Sequence, residues 1–136
     1  WFSFFTNSRF IKKTTFTTLL FFLICPSAFT QSILGKWKTI DDETNRAKSI
    51  VEIVEKDGKV FGKILQIFPL PEDDPNPICD QCDDDDDRYN QKVVGMEVIR
   101  DLKKDGDEWE DGTILDPENG KVYDCKLWVN KEDPNK

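Results

Sequence analysis

Histidine is absent from all 136 residues. That removes the commonest general base, the commonest zinc ligand beside cysteine, and every histidine-based triad. No G-x-S-x-G or comparable nucleophile motif occurs either. Helical periodicity is equally scarce, since no window sustains a 3.6-residue repeat over more than about ten residues. Long apolar runs are confined to one stretch near the N-terminus, and the polar chain that follows offers no second one.

That stretch, IKKTTFTTLLFFLICPSAFTQS (11–32), starts with Lys12 and Lys13, passes through an apolar run and reaches Pro26 and small residues. It has the three-part layout of a secretory signal peptide, so the protein is expected to be exported, either periplasmic or secreted. The run falls short of the roughly 20 residues that span a bilayer, which argues against a signal-anchor. Cleavage is expected after Thr30, leaving no stable membrane span. Leu23-Ile24-Cys25 places isoleucine where a lipoprotein signal wants a small residue, so lipidation is not expected. Trp1 to Phe10 precede the expected start and the chain opens without methionine, as a fragment or a translated flank would. Residues 1–30 are therefore set apart, and 31–136 are taken as one domain.

Residues 1–30 carry three basic side chains (Arg9, Lys12, Lys13) and no acids. Set against 19 basic and 27 acidic residues overall, the remainder has a net charge of −11. A surface that acidic repels phosphate backbones, so nucleic acid is not an expected partner. About a hundred residues suffice for one small domain with a modest core.

The domain is a train of short alternating runs punctuated by turn pairs. GKWKTI (35–40) reads as a first strand; SIVEIVE (49–55) ends at Asp57-Gly58, a pair suited to a type I′ hairpin, and VFGKILQI (60–67) is its partner. VVGMEVIRDL (93–102) meets Asp105-Gly106 and then EWEDGTIL (108–115). A third turn, Asp116 to Gly120, leads into KVYDCKLWV (121–129). Sequential hairpins make an antiparallel meander, and a meander of this size protects its edges best by curling into a barrel. The expected fold class is all-β, an antiparallel meander forming a barrel left incomplete if the chain is truncated.

Alternation assigns faces. In 121–129, Tyr123, Cys125, Leu127 and Val129 make the better inward set. In 93–102, Val94, Met96 and Val98 oppose Gly95 and Glu97, so Met96 is expected to point inward. In 60–67, Phe61, Leu65 and Ile67 compete with Val60, Gly62 and Ile64, and the pattern does not choose. Gly62 and Gly95, falling inside strands, suggest bulges or bends.

PNPICDQCDDDDDRYN (75–90) places Cys79 and Cys82 beside five aspartates. Structural zinc wants four ligands, and only Cys79, Cys82 and Cys125 remain after signal removal. An EF-hand is ruled out by the missing glycine and glutamate at its sixth and twelfth positions. Thiol exchange needs a cysteine of lowered pKa; five aspartates and two prolines (Pro75, Pro77) work against that. In an oxidising compartment the expectation is a local Cys79–Cys82 disulfide, a solvated aspartate run, and a free Cys125 inside the barrel.

The order GKWKTIDDETNRAKSIVEIVEKDGKVFGKI, PICDQC, VVGMEVIRDLKKDGDEWEDGTILDPENGKVYDCKLW is similar to a family of exported bacterial domains of unknown function, numbered 2147, over roughly residues 34–130. The Gly35-Lys36-Trp37 opening also resembles lipocalin-like barrels, where the tryptophan plugs one end. The resemblance implies a lipocalin-like barrel in the cell envelope and no particular activity. Related domains continue with further strands beyond the position of Val129, whereas this sequence closes on NKEDPNK. The expected function is a non-enzymatic binding or interaction module. Its partner would be a small apolar or amphipathic ligand or an envelope protein. Trp37, Met96, Tyr123 and Leu127 are the interior candidates; no catalytic residue, metal or cofactor is assigned. The rivals are an envelope thiol oxidoreductase or hydrolase, and a metal-binding Cys/Asp loop.

Overall fold

The computed structural model describes residues 32–130 and 132. The expected signal segment, with Cys25, and most of the closing NKEDPNK lie outside the described residues. Within them the chain forms six strands: β1 (Gly35–Ile40), β2 (Ala47–Lys56), β3 (Lys59–Ile67), β4 (Glu97–Asp105), β5 (Glu108–Asp116) and β6 (Lys121–Trp128). Each pairs antiparallel with the next, in the order β1-β2-β3-β4-β5-β6. This meander curls into a half-barrel, with β1 and β6 as its edges among the described residues.

The tight turns explain the sequential pairing. Asp57 and Gly58 both take positive φ (53° and 75°), as a two-residue type I′ turn requires. The β4–β5 connection turns on Gly106 (φ 60°), one residue later than Asp105-Gly106 suggests, because Asp105 still pairs with Glu108.

Curvature comes from bulges. Ile50 faces Gln66 but Val51 faces Ile64, leaving Leu65 unmatched. This shift resolves the undecided face of β3. Val60 and Ile64 point inward and are buried, and the extra residue turns Ile67 inward as well. Asp101 and Asp111 sit within β4 and β5 at positive φ (62° and 59°), next to shifted pairings of β3 with β4 and of β5 with β6. Gly112 lets the strands close there: a Cβ would lie 2.4 Å from the Arg100 carbonyl oxygen. Gly62 does the same beside Ile99, whose side chain would be 2.8 Å from an added Cβ.

The start of β4 differs from expectation. Residues 93–96 form a turn, in which the Met96 N–H donates to the Val93 carbonyl (3.1 Å) and the Gly95 N–H to the Ile64 carbonyl (2.7 Å). Strand alternation therefore does not apply there. Val93 and Met96 are both buried, whereas Val94, expected inward, is exposed. Gly95 (φ 94°) serves that turn and not a strand bend. The core joins these residues to Val51, Ile53, Val98, Leu102, Leu115 and Cys125.

Candidate functional site

The concave face opens into a cavity of about 900 Å³. Its floor is apolar: Val51 from β2, Ile64 and Ile67 from β3, Val98 from β4 and Ile114 from β5. Residues Phe68 to Leu70 and Pro77 form one wall, within the long connection from β3 to β4. That volume lies inside the roughly 300–1,000 Å³ typical of small-molecule sites.

One polar pair sits among these apolar groups. The hydroxyls of Thr39 and the buried Ser49 are 2.7 Å apart, and the Thr39 hydroxyl also donates to the Ser49 carbonyl at 3.5 Å. Inward parity with Val51 and Ile53 is the sequence signal that would have found Ser49.

The mouth is charged. Lys48 reaches from β2 to Glu118 on the β5–β6 turn, 2.9 Å away, joining parts of the sheet that are not neighbours. Glu118, followed by Asp116 and Asp41, raises the lysine pKa above its ordinary value. Asp41 is held below the usual carboxylate range by the Thr44 N–H and hydroxyl, each 2.8 Å from its Oδ1. Glu118 carried no sequence signal, because only the fold brings that turn opposite β2.

The β5–β6 turn is seated on the cysteine loop. Cys79 and Cys82 form a disulfide, as expected, and both are buried. Cys79 Sγ lies 3.7 Å from the Pro117 carbonyl oxygen. Gly120 (φ 69°) packs so closely that a Cβ would meet the Gln81 carbonyl oxygen at 1.8 Å. Sulfurs bonded to each other are not available as thiolate ligands.

The aspartate run is not uniformly solvated, contrary to expectation. Asp83, Asp84 and Asp85 are exposed, but Asp86 clasps Arg88 through two contacts (2.8 and 2.7 Å). Asp87 holds Arg100 on β4 through two more (2.7 and 2.9 Å). Arg88 is buried and also donates to the Glu97 carbonyl at 3.3 Å. Two acids thus fasten the loop to β4, using arginines that a reading of the aspartates alone overlooks.

Of the four interior candidates, Tyr123 lines the cavity, at its mouth, and is 47% exposed. Met96 is buried in the core, and Leu127 is half-buried against it, level with Trp109. Trp37 faces the same side of β1 as Thr39, one pleat further from the cavity; its indole N–H donates to the Ile33 carbonyl at 2.6 Å. The structure does not gather the four into one site. Cys125 is buried in the core and unbonded, with its thiol pKa pushed up by burial.

The antiparallel meander curled around a concave cavity is a lipocalin-like fold. In agreement, the fold is similar to that of HP1028 from the human pathogen Helicobacter pylori, described as belonging to the lipocalin family. The two share 17% sequence identity and a TM-score of 0.60, over 75% of this chain and 67% of that one. The chain belongs to the family described as "uncharacterized protein conserved in bacteria (DUF2147)", which matches residues 35–136. No curated protein matches it.

Proposed function

We propose that this protein is a non-enzymatic, exported binding module that takes a small apolar or amphipathic molecule into its concave cavity. The observation that carries this reading is the 900 Å³ cavity with its floor of Val51, Ile64, Ile67 and Ile114. Burying an apolar ligand there releases roughly 25 cal/mol per Å² of apolar surface, enough to hold a small molecule without any covalent chemistry. The residues 11–32 support export through their signal-peptide layout. Burial of both disulfide sulfurs speaks against thiol exchange with a protein substrate, since an attacking thiolate must reach one of them.

Two measurements test the reading. Native mass spectrometry of protein taken from its own envelope without detergent should show a co-purified small mass. The neutral dye Nile red should bind wild type and bind Ile67→Trp, whose indole fills the floor, at least several-fold more weakly. Protein that carries no added mass and takes up no dye would refute a carrier role.

A further inference from the structure

The mouth of the cavity is charged where its floor is apolar. Five carboxylates line it: Asp41, Asp73, Asp74, Asp116 and Glu118. Two cations oppose them, Arg46 and Lys48, and Lys48 is already paired with Glu118. Arg46 makes no ion pair among the described residues. The acids are held in place by their own turns. Asp73 Oδ2 accepts the Leu70 N–H (3.0 Å), Asp74 Oδ1 the Asn76 N–H (2.8 Å), and Asp116 Oδ1 the Glu118 N–H (3.0 Å).

From this geometry we infer that the cavity selects amphiphiles with a cationic head, the apolar tail lying on the Val51–Ile64–Ile114 floor and the head among the mouth carboxylates. The inference rests on the cavity reading above and adds the sign of the ligand's charge. The Lys48 ammonium shows the arrangement in miniature: a cation on an aliphatic stem is received at the mouth by Glu118 at 2.9 Å. An anionic head would meet net negative charge there, on a domain whose net charge from residue 31 onward is −11. Charges that share a partly screened mouth still discriminate, because opposite signs a few ångströms apart attract and like signs repel.

Three probes with the same tail separate the possibilities: dodecyltrimethylammonium, dodecyl maltoside and dodecanoate, each titrated calorimetrically below its micelle concentration. The ammonium probe should bind roughly tenfold or more tightly than dodecanoate at low salt. The gap should shrink as ionic strength passes about 0.15 M, where the screening length is about 8 Å. Asp73→Asn with Asp74→Asn keeps acceptor oxygens for both turns and should weaken the ammonium probe several-fold, leaving the maltoside unchanged. Lys48→Gln removes the resident cation and should strengthen the ammonium probe. Binding of the maltoside with no preference between the charged probes, or with the preference reversed, overturns the charge inference and leaves the cavity reading standing. Binding of none of the three overturns both.

Discussion

Trp37 is only half-buried, and its indole N–H is satisfied by the carbonyl of the buried Ile33. Trp37→Ala therefore removes partial packing and one hydrogen bond, and should cost about 2 kcal/mol, below the 3–5 kcal/mol of a fully buried aromatic. Urea unfolding measures it. A loss under about 0.5 kcal/mol would mean that the indole does not brace the N-terminal end of β1. The thiol of Cys125 makes a second residue-level expectation. It is buried and its pKa is raised by desolvation, so iodoacetamide should leave it unlabelled in the folded, unreduced protein and label it once urea is added. Rapid labelling of the native protein would place the thiol at the surface.

At the scale of elements, the loop from Cys79 to Arg88 is fastened at two points with different chemistry. One is the disulfide, which closes a loop of sequence separation 3. A loop that short gains little from cross-linking, so reduction should cost about 2 kcal/mol. Its larger effect should be local: Pro117 and Gly120 rest on the cysteine loop, so the Gly120 N–H, bonded to the Asp116 carbonyl at 2.8 Å, should exchange faster with deuterium after reduction. The other fastening is electrostatic. Asp86 is pushed well below the usual carboxylate range, first by its side-chain bonds to Arg88, and Asp87 is lowered by Arg100. A carboxylate with a depressed folded-state pKa stabilises above the unfolded value of about 3.9, and that contribution is lost as pH falls toward the folded one. Melting temperature should thus hold through neutral pH and drop below about pH 4. Asp86→Asn should lower it at pH 7 and flatten the acid slope. An equal slope in the two proteins would show that the clasp does not carry the acid sensitivity.

For the molecule as a whole, the open half-barrel sets both capacity and liability. Among the described residues β1 and β6 each have one strand neighbour, and Val122 and Trp128 on β6 are exposed. An unpaired edge with apolar side chains invites pairing between chains, and the strong negative charge opposes it. Light scattering should therefore report self-association as pH approaches the isoelectric point, near 4.6 for the full sequence, and little of it at pH 7 in low salt. Association unaffected by pH would locate the protection elsewhere. Curvature also creates the cavity: the shift at Leu65 and the close approaches at Gly62 and Gly112 bend the sheet around its own floor.

The strand order and the turns were legible in the chain because they depend on neighbours in sequence. Asp57-Gly58 imposes its hairpin locally, and the alternation of β6 places Cys125 and Leu127 inward whatever lies across the sheet. The Cys79–Cys82 bridge belongs with these, since two cysteines three apart meet without help from the rest of the fold. Alternation was ambiguous where a single extra residue reverses it, as at Leu65, and it misled where the chain was not a strand at all, as at Val94. The cavity and its mouth were decided by tertiary structure alone. Lys48 on β2 and Glu118 on the β5–β6 turn are far apart in sequence and on parts of the sheet that do not pair, and Asp87 meets Arg100 only because the loop folds back over β4. Such contacts depend on how far the sheet curls, which is a sum of small register shifts along several strands and is not written in any one of them.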